Sequence, residues 1–397
     1  MEFPRIPNSL FLQQGEEVAT LSSKLPEEIY QEILIRLPVK SVLISKSVCK
    51  SWYSQISNPN FVKLHLNQNK NNSSSDSSLL LGIGDDLHSI GYDSLVSSRE
   101  IEEGSSVRMR YPFKLQIQCV RLLGSCNGLV FLQLYGYSVH YDDERDFLCV
   151  WNPATREYKK IPESPSISFK DICINGLVYD GKNDDYKFVI GADGDTSELT
   201  TSLEIFSLKS NAWETILTPY WSAYGEWKTG VLVNGNLHWL AKGECGGCIV
   251  YLDISYGMPS FKEIQLPTVQ NLEFFSVGVL EEGCLCVLAD NGDIGLARVE
   301  VWEMQVYGVR ESWTRRYVIA NHTITTSVMV EESGWRTIWS FKKGKIIFVD
   351  SQKVVLYDPK HRTAIERNLN RLAYFTSVVN HVESLVSLSS GTYVGQN

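Results

Sequence analysis

No stretch of the 397-residue sequence approaches the ~20 consecutive apolar residues that a membrane-spanning helix needs. Residues 1–20 lack a basic start followed by an apolar core, so they read as a loose leader, not a signal peptide, and no membrane partner is expected. Basic residues are the scarcer charge. The 37 Lys and Arg against 46 Asp and Glu leave a net charge of −9, which speaks against broad phosphate-backbone binding, so no nucleic-acid partner is expected. Residues 1–66 are close to neutral, with seven Lys/Arg and six Asp/Glu, so the acidity sits in the remainder. The nine cysteines are odd in number and lack framework spacing, which fits free thiols in a reducing compartment, the cytoplasm or the nucleus.

Motifs for catalysis are missing as well. There is no Walker loop, no G-x-G-x-x-G, no nucleophile elbow and no EF-hand loop. Cys245-Gly-Gly-Cys248 is a C-x-x-C, but a zinc site needs a second ligand pair. Cys284 and Cys286 alternate as on one face of a strand, and no His lies close in sequence to either pair. Asp180, Asn183, Asp184 and Asp185, like Asp193 and Asp195, are turn formers. No catalytic residue, metal or cofactor is expected.

What the sequence does have is strand material: 43% apolar and 11% aromatic residues, with ten Trp and 19 Tyr. From about Leu79 to about Ser390, short β-rich runs alternate with Gly, Asn and Asp turns. One pattern recurs in "VWNPATREYKKIP", "IFSLKSNAWETI", "LDISYGMPSFKEIQLP", "VWEMQVYGVRESWTRRY" and "LYDPKHRTAIERN". These starts lie roughly 50 residues apart, the period of kelch-type propeller blades. Five blades are traced directly. A sixth combines "LLLGIGDDLHSIGYDSLV" near the start with "FTSVVNHVESLVSL" near the end, which would cover both sheet edges. A β-sandwich is the rival, but it does not require such a period. Trp151, Trp213, Trp302 and Trp313 sit at repeat positions and are expected in the core.

Residues 21–66 differ: they read as three short helices. Ser22 or Ser23 can cap the first, with Pro26 in its first turn and Ile29, Ile33 and Leu37 on one face beside Leu34. A second runs from Val39 to Ser45 with Val42 and Leu43 inward. A third starts near Ser47, carries Val48, Cys49, Trp52 and Ile56, and is ended by Pro59. So small a core is marginal alone and calls for a partner surface. Residues 67–78, "NQNKNNSSSDSS", read as a flexible linker, which favours a free docking module over a cap packed on the β domain.

The run "LPEEIYQEILIRLPVKSVLISKSVCKSWYSQISNPNF" resembles an F-box. The resemblance is carried by Leu25-Pro26, Ile33-Leu34, Leu37-Pro38, Lys40-Ser41 and Val48-Cys49-Lys50-Ser51-Trp52. It departs where similar modules carry a basic residue and a Phe; here Ile44 and Ser45 stand there. The stretches "LLGSCNGLVFL", "CVWNPATREYKKIP", "GLVYDGKNDDYKFV", "VNGNLHWLA", "FKEIQLP" and "VEVWEMQVYGVRESWTRRYVI" resemble the F-box-associated domain of plant F-box proteins, whose repeats are kelch-like. The resemblance implies an all-α F-box at 21–66 followed by an all-β propeller of about six blades at 79–390, with a tail at 391–397. It implies a non-catalytic substrate receptor of an SCF-type ubiquitin ligase. The module would bind a Skp-family adaptor and, through it, cullin and RING subunits. Leu25, Pro26, Ile29, Ile33, Leu34, Leu37, Pro38, Val42, Leu43, Val48, Cys49 and Trp52 would form the adaptor side. The propeller would hold a target protein. Exposed Tyr and Trp anchor interfaces, and "TPYWSAYGEWKTG" suits a loop, so Tyr220, Trp221, Tyr224 and Trp227 are the candidate target contacts. Two other readings stay open: a non-ligase F-box scaffold, and a propeller enzyme with a helical appendage.

Overall fold

A computed structural model describes residues 26–72, 77–97, 106–111, 116–138, 141–193, 201–216, 221–223, 228–243, 246–254, 259–280, 283–290, 298–320, 337–341, 345–349, 353–368 and 377–388. The leader, the tail, Ser22, Ser23 and Leu25 lie outside them.

Four helices come first: α1 (Glu27–Ile35), α2 (Val39–Ser45), α3 (Lys50–Ile56) and α4 (Pro59–Asn72). Pro26 precedes α1 in extended backbone, and Glu27 and Glu28 lie at its positive end. The second helix spans the residues expected of it. The fourth is a correction: Pro59 starts a helix instead of ending one. Proline suits a first helical position, and the Asn58 side chain accepts the Asn60 N–H at 2.8 Å, as a capping residue does. Phe61, Val62, His65, Leu66 and Asn69 then fall on one buried face. That face draws the polar residues 67–72 into helix, so the first half of the expected linker is the end of α4, Ser77 and Ser78 open the first strand, and 73–76 lie outside the described residues.

Six blades follow. Blade 1 is built from both ends of the domain: Ser377–Val382 pairs antiparallel with Ser77–Ile83, which pairs with Asp86–Gly91 and then Val107–Met109. The expected closure is therefore present, with Leu79 opposite Asn380. Blade 2 runs Gln116–Cys126, Leu129–Ser138, Tyr141–Trp151, Tyr158–Ile161. Blade 3 runs Ile174–Asp180, Asp185–Asp193, Thr201–Ser207, Ala212–Ile216. Blade 4 runs Val231–Val233, Asn236–Gly243, Gly246–Asp253, Ser260–Gln265. Blade 5 runs Glu273–Val279, Leu285–Asp290, Arg298–Met304, Trp313–Ala320. Blade 6 runs Thr337–Phe341, Lys345–Val349, Lys353–Asp358, Thr363–Asn368.

The core consists of apolar clusters between successive blades, because each blade has two faces to cover and only its neighbours can cover them. Val120 and Leu132 meet Leu80 and Val379 between blades 1 and 2. Val178 and Ile205 meet Trp239 and Val250 between blades 3 and 4. Ile249 and Ile264 meet Val287 and Trp313 between blades 4 and 5. Trp indoles tie the outer strands together. Trp213 donates from blade 3 to the Pro162 carbonyl at 3.0 Å, and Trp313 donates from blade 5 to the Gln265 carbonyl at 2.9 Å. Trp151 is buried as expected, while Trp302 is half-buried.

Two fully buried histidines belong to this frame. His238 joins blades 4 and 5: its Nδ1–H donates to the Asn236 carbonyl at 3.0 Å, so its Nε2 accepts from the Tyr307 hydroxyl at 2.7 Å. His381, on the closing strand, donates to the Gly128 carbonyl at 3.2 Å. Burial pushes the pKa of each down to about 4. The unfolded chain, with His near 6.5, therefore takes up protons first as pH falls. Stability is full above about pH 6.5 and is lost on approach to pH 4, on the order of 3 kcal/mol per histidine. Denaturant unfolding at pH 7 and pH 4.5 should show this loss, and His238→Gln should flatten part of the slope. An unchanged slope in that variant would contradict the assignment.

Candidate functional site

The helical module is seated on the propeller. Tyr30, Leu34, Val39, Val42, Ile56, Phe61, Val62 and Leu66 share one apolar cluster with the blade 2–3 core and with Leu385 and Val386. The free module expected from the linker is thus replaced by a packed one. Polar contacts hold its interior: Tyr30 Oη lies 3.2 Å from Ser51 Oγ, and His65 Nε2 donates to the Leu37 carbonyl at 2.9 Å. Tyr30 and Trp52 stack with centroids 6.3 Å apart.

Six residues beyond the closing strand form the mortar. Asn152 is fully buried in the turn that ends the third strand of blade 2. Its Oδ1 accepts the Ala154 N–H at 2.9 Å and shapes the turn, while its Nδ2 donates to the Ser384 and Val386 carbonyls at 3.2 and 2.7 Å. Glu157 accepts from the Ser387 hydroxyl at 2.8 Å and from the Leu388 N–H at 2.6 Å. Gly128 has φ +83°, and a Cβ there would collide with Ser384. From the module, Lys40 reaches Glu383 at 3.6 Å. Burial lowers the pKa of Lys46 and the nearby Glu157 carboxylate partly restores it.

This packing divides the expected adaptor residues. Leu34 and Val42 are fully buried and serve the core, as does Tyr30, which sequence reasoning overlooked. Leu37, Leu43, Cys49 and Trp52 are half-buried. Pro26, Ile29, Ile33, Pro38 and Val48 are exposed, with Ile29 at 47%, Ile33 at 49% and Val48 at 44%. On α1, Tyr30 and Leu34 point in, while Ile29 and Ile33, one turn apart, point out. Ile44 and Tyr53 add exposure of 72% and 58%. At the departing pair, Ser45 Oγ donates back to the Ser41 carbonyl at 2.8 Å. These exposed aliphatic side chains lie on a small helical unit whose other face is buried against the ring.

The module occupies the end of the ring where first and second strands, and third and fourth strands, are joined, as at Asn127-Gly128 and Asn152–Glu157. The second and third strands are joined at the other end. The Trp221–Ala223 strand pairs with Ala241–Gly243, so its backbone lies at that far end of blade 4. Tyr220, Tyr224 and Trp227 lie outside the described residues. Cys248 and Cys286 are buried, Cys284 is half-buried, and Cys245 lies outside the described residues. Asp180 accepts the Lys182 and Asn183 N–H groups and pairs with Lys187 at 3.0 Å, the work of a turn. Among the described residues, no group of three or more His, Cys, Asp or Glu is placed to hold a metal ion.

A family model for the F-box domain matches residues 22–64, and one for the F-box associated beta propeller domain matches residues 84–388. The chain is similar to the F-box protein CPR1 of Arabidopsis thaliana, 27% identical over 84% of this chain and 82% of that one. It is also similar to an F-box/kelch-repeat protein of the same plant, 26% identical over 82% of this chain and 87% of that one. Among solved structures it overlaps a Penicillium chrysogenum alpha-L-arabinanase at 10% identity and a TM-score of 0.41, covering 75% of this chain and 89% of that one. An overlap that loose bears on no activity.

The split between core and surface is open to test. Leu34→Ala should cost about 2–5 kcal/mol, because it empties a fully buried site. Ile33→Ala, one position away, should stay within about 0.5 kcal/mol. Chemical denaturation of both variants would reverse the assignment if their costs were alike.

Proposed function

Because the chain belongs to the family of F-box proteins with an F-box associated beta propeller domain, we propose that it is the target-recognition subunit of an SCF-type ubiquitin ligase. Its F-box docks on a Skp-family adaptor that links it to cullin and RING subunits, and its propeller holds a target protein for ubiquitination and degradation, in the cytoplasm or the nucleus. The observation that carries this reading is the exposed aliphatic face of Pro26, Ile29, Ile33 and Val48 on a module whose other face is buried against the ring. The chain supplies no chemistry of its own in this scheme. It raises the effective concentration of a target lysine near the conjugating enzyme, a gain that needs position and no catalytic side chain.

Within this reading the far end of the ring, where the backbone of Trp221 lies, holds the target. A target there is separated from the adaptor by the depth of the propeller, so both proteins bind without collision. Tyr220, Tyr224 and Trp227 belong to the same connection between blades 3 and 4 and remain the candidate anchors. Ile44 supports a second reading, an F-box scaffold without ligase activity. At 72% exposure it stands where similar modules place a basic side chain, so the adaptor meets an aliphatic group there.

Calorimetry of the full chain with a panel of Skp-family adaptors tests the docking. Ile29→Asp with Ile33→Asp should weaken binding at least tenfold while the thermal midpoint stays within about 2 °C, since both side chains are exposed. Failure of the unmodified chain to bind any adaptor would sink the proposal. Adaptor binding without loss of any protein from cells, measured by proximity labelling with and without residues 21–66, would favour the scaffold.

A further inference from the structure

The segment that seats the module comes from the opposite end of the chain. Lys40 lies on α2, and its partner Glu383 directly follows the strand that closes the ring. Leu385 and Val386 are 3% and 0% exposed and sit in the same cluster as Leu34, Val42, Ile56 and Phe61. The segment reaches that position only if Ser377–Val382 has paired with Ser77–Ile83, because Glu383 continues from the paired strand. It stays there because Asn152 and Glu157 grip Ser384, Val386, Ser387 and Leu388.

Comparison with blade 6 isolates the grip from the turn. Asp358-Pro359 occupies the place of Asn152-Pro153, and its Oδ1 accepts the Lys360 and His361 N–H groups at 3.0 and 3.2 Å, as Asn152 Oδ1 accepts from Ala154. Arg362 and Arg156 then take the same positive φ, 53° and 63°. A carboxylate thus builds this turn as well as an amide does. The amide adds a donor, and only a donor can hold the Ser384 and Val386 carbonyls.

We infer that residues 383–388 are a coupling strap: closure of the propeller at its last strand seats them against the helical module, and the folded stability of the module depends on that seating. Alone, a helical unit of this size has too small a core to be stable. The strap supplies missing apolar surface and pins its own polar backbone to blade 2, so the module's local stability is tied to the seating of the strap while the rest of the ring opens separately. A chain whose ring is open therefore presents a loosened module and docks weakly. The bearing on docking rests on the receptor reading above; the coupling itself does not.

Native-state hydrogen exchange on the full chain tests it. Asn152→Asp keeps the turn acceptor and removes the amide donor. Expected is at least a tenfold loss of protection across α1 to α4, while Ile249 and Val287 in blades 4 and 5 keep theirs. Val386→Ala, which trims the strap without touching the turn, should give a smaller loss in the same helices. Unchanged protection of the module in both variants overturns the inference. So does equal loss across all six blades in both, since that would make the strap a general support of the ring. The readout involves no adaptor, so failure of adaptor binding in the unmodified chain would count against the receptor reading alone.

Discussion

The buried amide of Asn152 is the contact on which the arrangement turns. Its oxygen shapes the third-to-fourth strand turn of blade 2, and its nitrogen fixes the chain just past the closing strand. A propeller is a ring with one seam, and an open seam leaves two sheet edges unpaired. Here the seam is closed by backbone pairing of Ser77–Ile83 with Ser377–Val382, and the chain continues across blade 2 to lie beneath the helices. Around Asn152 the carbonyls of Ser384 and Val386, buried with the strap, find their donors. A hydrocarbon side chain at that place would leave both carbonyls without them, a cost of about 1–3 kcal/mol each.

Given that seating, the two faces of α1 acquire separate duties. Tyr30 and Leu34 face inward and join the cluster that runs into blades 2 and 3. Ile29 and Ile33 face outward. A helix apolar on two sides is a poor solution for an isolated domain, which would hide one side and wet the other. It is a reasonable one for a unit that must adhere permanently on one side and reversibly on the other. The half-buried group of Leu37, Leu43, Cys49 and Trp52 marks the border between these duties.

Much of the ring was legible because propellers write their geometry into a period. The strand-turn pattern named five blades, and the need to cover two edges named the sixth, with the correct segments at each end. The family resemblance rested on residues that serve turns and packing, such as Asn127-Gly128 and Trp151. The helical module was harder. Its apolar stripes fit more than one helical face, so the sequence groups Leu34 and Val42 with Ile29 and Ile33 on the adaptor side, whereas Leu34 and Val42 are core residues beside Tyr30, an amphipathic aromatic. Pro59 reads as a stop because proline ends a helix as readily as it begins one; the Asn before it is the deciding signal. The strap was illegible as a site because nothing in "ESLVSL" marks it. Its signal lay 232 residues before Ser384, in the choice of Asn at 152 where blade 6 has Asp.

In the proposed receptor role, that choice bears on how a chain that contributes position matters to a reaction. Effective concentration falls when the linkage between two bound partners is loose, because the tethered group then samples volume in which it cannot react. A flexible linker at 67–78 would have given such a linkage. Instead α4 carries the chain directly toward the first strand of the ring, Leu66 packs into the shared core, and the strap adds a second attachment from the other end of the domain. Two attachments fix an orientation where one permits a swing. A module held this way gives its exposed face one bearing relative to the far end of the ring, and in the proposed role a partner on each side then meets the other at a set distance. The burial of Leu385 and Val386 is therefore as much a determinant of geometry as any residue on either binding face.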